Sequence, residues 1–292
     1  MSEKTVAYLQ LHVAVLLYGL TAILGDLISL NAVVLVWWRV LIASVSLLLL
    51  INLGRGLKKL KPSLILKFVG VGFLIGFHWI TFFGAIKFSN ASITLAALAT
   101  TSLFTSFLEP LITGKPFSKF EMILGLMIIP PMLLIANTID FTMMQGLFIG
   151  LLSAFLASLF SSFNKQLVDE ASPFEISFIE MFAAFLFISI IIPFIVSQEY
   201  NFMPTGKDWI YLLVLSLLCT TFAYVISMMA LKNVSAFDAT LVINLEPVYG
   251  ILLAIVILKE HKEMSPHFYW GMILIMLIVF SHPILKKRFH VK

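Results

Sequence analysis

Few side chains in this sequence can hold a charge or pass a proton, and several of those stand inside long apolar runs. Glu246 and Pro247 are neighbours within LVINLEPVYGILLAIVILKE, residues 241–260. A carboxylate near the centre of an apolar span costs at least ~2.5–3.5 kcal/mol on insertion scales. Protonation, a partner or water must offset that. Pro247 lacks an N–H and frees the carbonyl of Ile243, and broken helices of this kind line cavities in transporters. The pair reads in one of two ways. It marks a water-accessible midplane site, with Asn244 and Tyr249 beside it, or a protonated carboxyl that holds a kink against a neighbouring helix. Ala239, Gly250 and Ala254 share the Glu246 face at helical spacing, so that face is expected to point into a bundle.

Arg39 and Glu180 form a second constellation. Each stands in an apolar run, and their depths are expected to differ by roughly 10 Å, too far for direct contact. Arg39 either attracts an anionic group such as a solute carboxylate or snorkels outward to an aromatic belt of Trp37 and Trp38. Glu180 either faces the bundle interior or snorkels. His78 and His12 are imidazoles inside apolar runs, suited to a proton relay or to a hydrogen bond between helices. Trp79 and Tyr224 are aromatics at matching depth that either wall a cavity or pack a core. Thr94, Thr101, Thr105 and Glu109, spaced 7, 4 and 4, share one helical face. They form either helix–helix glue or one side of a polar path. Glu109 has Lys115 and Lys119 nearby to neutralise it, and Glu260 and Glu263 alternate with Lys259 and Lys262 as a solvated turn would.

The elements that must carry these residues are membrane spans. Charged residues make up 12% of the 292 and hydrophobic residues 61%, with a mean hydropathy of +1.06. Soluble domains carry roughly 25% charged residues, so lipid is the expected solvent. A crossing helix needs about 20 apolar residues. Ten such runs are predicted, near 6–25, 32–53, 64–86, 91–113, 120–137, 143–164, 174–196, 209–231, 236–258 and 267–285. They are too long for barrel strands. The first is read as a span rather than a cleaved leader, because no small-residue cleavage site is clear before Gly25. Lysines and arginines crowd into alternate loops, among them Lys58, Lys59, Lys61, Lys115, Lys165 and Lys286. Lys87, Lys207, Lys259 and Lys262 stand opposite, which predicts both termini on the cytoplasmic side.

The two halves of the chain resemble each other at an offset of 145 positions: Trp79 matches Tyr224, Leu98 matches Ile243, and Ser102 matches Pro247. The Glu109-Pro110 and Glu246-Pro247 pairs do not share that offset and are read as non-equivalent. Five spans per half is an odd number, which predicts inverted repeats. There is no P-loop, no His-Glu-x-x-His and no Gly-x-Ser-x-Gly, so no ATP-driven or hydrolytic chemistry is indicated. The single cysteine, Cys219, excludes an internal disulfide and a cysteine-based zinc site.

Three stretches carry a resemblance to a known family: ALKNVSAFDATLVINLEPVYGILLAIVILKE (230–260), the glycine-bearing YWGMILI (269–275) and WWRVLIA (37–43). The chain resembles the EamA-type transporters of the drug/metabolite transporter superfamily. The family pattern of a proline in the penultimate span and a glutamate at its end matches Pro247 and Glu260. The first half has Ser102 and Lys115 at the corresponding places. The resemblance implies an all-α membrane protein of ten transmembrane helices in two inverted five-helix repeats, residues 1–140 and 141–292. It implies a secondary exporter or facilitator of small metabolites such as amino acids, in a cell (inner) membrane. The expected solute or proton site comprises Glu246, Asn244, Tyr249, His78, Trp79, Tyr224, Thr101, Arg39, Glu180 and His12, with the helix broken at Pro247. No cofactor or metal is expected; the partners are a small solute, the bilayer and coupling protons. The competing readings are an intramembrane enzyme or flippase acting on lipid-linked substrates, and a channel.

Overall fold

The computed structural model describes residues 2–51, 57–195, 201–262 and 264–288. The break expected at Gly54-Arg55-Gly56, together with Glu263 and Lys292, lies outside the described residues, as do the side chains of Lys58, Lys286, Lys287 and Arg288. The described residues are helical and contain no strand. Among the described residues, nine helices are long and apolar enough to cross a membrane. They run Glu3–Leu27, Ala32–Leu50, Pro62–Phe88, Ala91–Thr113, Lys119–Ala136, Phe141–Leu167, Pro173–Ile195, Gly206–Leu231 and Ala236–Leu258. A further helix, Pro266–Arg288, follows. The outer faces are as apolar as the interior, with Phe194 87% and Val256 75% exposed. A helix that is apolar all round needs lipid on its outer side.

Several of these helices are interrupted, so we label continuous segments. They are α1 (Glu3–Leu27), α2 (Ala32–Leu50), α3 (Pro62–Phe88), α4 (Ala91–Leu98), α5 (Thr101–Thr113), α6 (Lys119–Leu126), α7 (Ile129–Ala136), α8 (Met144–Leu167) and α9 (Pro173–Ile195). There follow α10 (Gly206–Leu213), α11 (Ala223–Leu231), α12 (Ala236–Ile243), α13 (Glu246–Leu253) and α14 (Pro266–Arg288). Side chains that compete for backbone N–H groups set the starts: Ser2, Asn31, Asn90, Ser118 and Ser235 each accept from the first turn of the helix they precede.

The offset of 145 positions recurs in backbone detail. Asn90 and Ser235 are corresponding N-caps, and α4 and α12 end at the corresponding Leu98 and Ile243. Gly114 and Lys259 correspond as left-handed C-caps, with φ of 73° and 62°. The break between α12 and α13 was expected at Pro247. The matching break between α4 and α5 has no proline. There the hydroxyls of Thr100 and Thr101 donate to the carbonyls of Ala97 and Leu98 at 2.7 and 2.6 Å, and the turn tightens.

One observation departs from the sequence reading, and others add to it or decide between its alternatives. Glu260 does not sit in a solvated turn; it is 4% exposed, and its carboxylate accepts from the backbone N–H groups of Ala91 and Ser92 at 3.0 and 2.9 Å. It therefore caps α4. Burial pushes its carboxyl above the ordinary carboxylate range, and the Ser92 and Ala91 hydrogen bonds pull it back. Glu109 does the same for the other half, accepting from the N–H groups of Ala236 and Phe237 at 2.9 and 2.8 Å, and so caps α12. Lys115, the positional counterpart of Glu260, bridges Glu109 at 3.5 Å and Glu121 at 3.3 Å. Finally, the threonine stripe of α4 and α5 is glue rather than a path. Thr94 and Thr105 donate back to Asn90 and Thr101, and Thr105 also reaches Ser158 on α8 at 3.0 Å.

Helix α3 packs on α8 and α9, α1 on α11 and α13, and α14 on α7. One close crossing, made against backbone, is at Gly72. A Cβ there would lie 2.4 Å from the backbone oxygen of Glu180 and 2.7 Å from Ala183 Cβ. Backbone cannot swing aside as a flexible side chain does, so Gly72→Ala must part α3 from α9. The expected loss is about 1–3 kcal/mol, read as a lower midpoint of thermal unfolding in detergent. An unchanged midpoint contradicts this packing.

Candidate functional site

A cavity of about 110 Å³ lies where α1, α2, α3, α4, α5, α8, α11, α12 and α13 meet. One water needs roughly 10–15 Å³ on this measure, so the space holds several waters or a small solute. Most of its wall is apolar, including Leu11, Phe82, Leu98, Phe160, Met228 and Ile243. Into this wall are set Tyr18, Arg39, His78, Thr101, Asn244 and Glu246.

Glu246 is 6% exposed and begins α13 at the break after Asn244 and Leu245. Placing Pro247 in the first turn of α13 removes an N–H that would have no partner there. Gly250 and Ala254 on its face are buried, and Gly19 of α1 approaches so closely that a Cβ would lie 2.9 Å from Tyr249 Cβ. No hydrogen bond or ion pair links the Glu246 carboxyl to another described side chain; the ion pairs seen are those of Lys115. The neighbouring Asn244 is 5% exposed, and its Nδ2 has no hydrogen-bond partner.

Arg39 does not snorkel. It is 1% exposed and turned inward, with its guanidinium carbon 3.9 Å from the centroid of the Trp79 ring. Its Nε donates to Thr220 Oγ at 2.7 Å, and the Thr220 hydroxyl donates onward to the Leu215 carbonyl five residues back. That second bond fits the π-helical segment Val214–Phe222, whose wider turn brings the threonine to the arginine. Arg39 Nη1 has no hydrogen-bond partner. Trp37 and Trp38 cluster with Phe185, Phe202 and Trp209. Their indole N–H groups donate to Ser189 Oγ and to the Phe202 carbonyl.

Glu180 is fully buried and likewise does not snorkel. Tyr224 O–H donates to Glu180 Oε2 at 2.6 Å, and Asn164 Nδ2 lies 2.7 Å from the Tyr224 hydroxyl. Arg39 and Glu180, the two charges of the second run in each half, are thus each held by the matched aromatic of the third run. One lies over the face of Trp79 and the other takes a proton donor from Tyr224. The sequence reading listed all four residues and did not pair them.

His78 Nδ1 lies 2.9 Å from the Ser153 carbonyl. A carbonyl only accepts, so Nδ1 carries the proton, and Nε2 is the nitrogen left to exchange one. Two expected residues are not in the cavity. His12 is exposed on the outer face of α1, whereas Leu11 beside it faces inward. Tyr249 is half-buried and packs against Gly19 rather than on the cavity wall. Thr101 lines the cavity, but its hydroxyl is committed to the Leu98 carbonyl.

The site is therefore a small, mostly apolar chamber whose wall carries a guanidinium and a carboxyl that are not hydrogen-bonded to each other. The model of the EamA-like transporter family matches residues 5–137 and again 144–282. A solved crystal structure of a protein superposes with a TM-score of 0.72 over 97% of this chain and 98% of its own, at 15% identity. At that identity the likeness concerns fold alone. No curated protein matches the sequence.

Proposed function

Because the chain belongs to the EamA-like transporter family, an integral membrane family, we propose that it moves small zwitterionic solutes, amino acids with apolar side chains foremost, by alternating access. Ten spans in two inverted units, about residues 1–140 and 141–292, with both ends on the cytoplasmic side of a cell membrane, are the framework of this reading. The reciprocal caps by Glu109 and Glu260 support it, since each half holds the start of a helix in the other.

One observation carries the solute assignment: the chamber wall offers unpaired groups of both signs. Among the described residues, Arg39 Nη1 and Asn244 Nδ2 are donors without partners, and the Glu246 carboxyl on the same wall has no hydrogen bond or ion pair to a side chain. A solute carboxylate satisfies Arg39 and Asn244 through charge-assisted hydrogen bonds. A solute ammonium satisfies Glu246. The apolar remainder of the wall accepts an uncharged side chain. His78 Nε2 is available to exchange a proton with the chamber. No bond of the solute is made or broken.

The test is counterflow in proteoliposomes with radiolabelled leucine. Unlabelled leucine and phenylalanine should compete, whereas N-acetyl-leucine and leucine amide, each lacking one charge, should compete poorly. Equal competition by all four overturns the assignment, and so does the absence of leucine movement.

A further inference from the structure

Behind the chamber wall lies a second polar cluster that the solute site does not use. It comprises Glu180 on α9, Asn164 on α8 and Tyr224 on α11, with exposures of 0%, 1% and 5%. Tyr224 also lines the chamber, so it is the link between the two. Glu180 Oε1 and Asn164 Oδ1 have no hydrogen-bond partner. A carboxylate this deep without a neighbouring cation is costly to keep charged.

No cation faces it among the described residues. Arg39, the one charge of α2, turns to Thr220 and Trp79. Lys165 of α8 donates to the carbonyls of Leu231 and Lys232. His78 of α3 is bound to Ser153, and α3 meets Glu180 through Gly72. Glu175, on the same helix, is engaged with Ser172. The titratable group in contact with Glu180 is Tyr224.

The three residues, with Asn164 Nδ2 also 3.4 Å from Glu180 Oε2, admit two hydrogen-bond arrangements on the same heavy-atom positions. In the first, Asn164 N–H donates to the Tyr224 oxygen, and Tyr224 O–H donates to the Glu180 carboxylate. In the second, Glu180 is protonated and donates to the Tyr224 oxygen. Tyr224 then donates to Asn164, whose amide is turned so that Oδ1 takes the place of Nδ2. Amide oxygen and nitrogen are near-isosteric, so the second arrangement needs little more than that rotation. The two differ by one proton.

We propose that Glu180, Tyr224 and Asn164 form a proton-loading site, distinct from the solute chamber, that exchanges its proton with the chamber through the Tyr224 hydroxyl. A hydronium ion in the chamber gives a proton to the Tyr224 oxygen as the proton already there passes to Glu180, and it is left as water. One O–H bond breaks at the hydronium and one at Tyr224, one forms at Tyr224 and one at Glu180, and the positive charge of the hydronium cancels the negative charge of the carboxylate. This assignment rests on the transport reading for its purpose, since the loaded proton is what couples to solute movement. It does not rest on that reading for its chemistry.

Infrared difference spectra of the protein in liposomes, taken as pH is stepped between about 5 and 9, test the site without any solute. The expected result is a reversible carboxylic-acid C=O band that disappears in Glu180→Gln, shifts in frequency in Tyr224→Phe and remains in Glu246→Gln. A band that survives Glu180→Gln, a band indifferent to Tyr224→Phe, or no band in the folded wild type overturns the proposal. Leucine counterflow measured over the same pH range supplies the second arm. Its rate should vary roughly 5- to 150-fold in the wild type, the usual span of coupling between two sites, and lose that variation in Glu180→Gln. Pronounced pH dependence in Glu180→Gln overturns the coupling. Absence of leucine movement in every variant counts against the transport reading instead, and the infrared result stands apart from it.

Discussion

Glu246→Gln leaves the protein folded and lowers leucine binding and counterflow by about 10- to 100-fold. The carboxyl has no hydrogen bond or ion pair to another described side chain, so the substitution removes no internal contact. It replaces a buried ionisable group with a neutral amide of the same shape, which lowers the burden of desolvation. The midpoint of thermal unfolding is therefore expected to stay level or rise. Hydrogen bonds to a charged group contribute about 1.5–3 kcal/mol, and about 1.4 kcal/mol is tenfold in affinity. The combination is diagnostic. A kink-holding carboxyl gives the opposite pattern, with stability lost and binding kept, and that outcome in paired thermal-shift and counterflow measurements sinks the solute role.

The second large effect concerns Glu109. Its carboxylate satisfies two N–H groups at the start of α12 and accepts from Lys115. In Glu109→Gln the remaining side-chain oxygen can serve only part of that set, and each buried group left unsatisfied costs about 1–3 kcal/mol. A loss of roughly 2–4 kcal/mol is expected, seen as a large drop in the unfolding midpoint. The 145-position register adds a rescue. Lys115 corresponds to Glu260, and Ala236 to Ala91, the residue that Glu260 caps. A carboxylate at position 115 should therefore reach the start of α12. Lys115→Glu in the Glu109→Gln background is expected to recover at least half of the loss. Further destabilisation by the second change shows that the two caps are not geometric counterparts.

Much of the architecture was legible because lipid imposes a length on apolar runs. The predicted run 91–113 coincides with Ala91–Thr113, and 236–258 with Ala236–Leu258. The inward position of Glu246 was legible too, from the small residues on its face. What stayed hidden has physical causes. Lipid-facing and core-facing surfaces of a membrane helix are both apolar, so hydropathy does not say which way His12 or Tyr249 turns. The break before α5 is made by threonine hydroxyls, and threonine usually signals nothing of the kind. The caps join Glu109 to Ala236 and Glu260 to Ala91, across 127 and 169 positions, and local charge patterning read Glu260 as surface. The inward turn of Arg39 depends on a π-helical segment 181 positions away from it.

The Glu260 cap also sets an order in time. The first two N–H groups of α4 emerge from the ribosome early, and the carboxylate that quiets them arrives 169 and 168 residues later. Until then Asn90 answers only the Ile93 N–H of that opening turn, and the Ala91 and Ser92 N–H groups must borrow water or lipid headgroups. The start of α4 is thus left incompletely capped until the ninth span has followed it, and a late-made carboxylate completes an early-made helix.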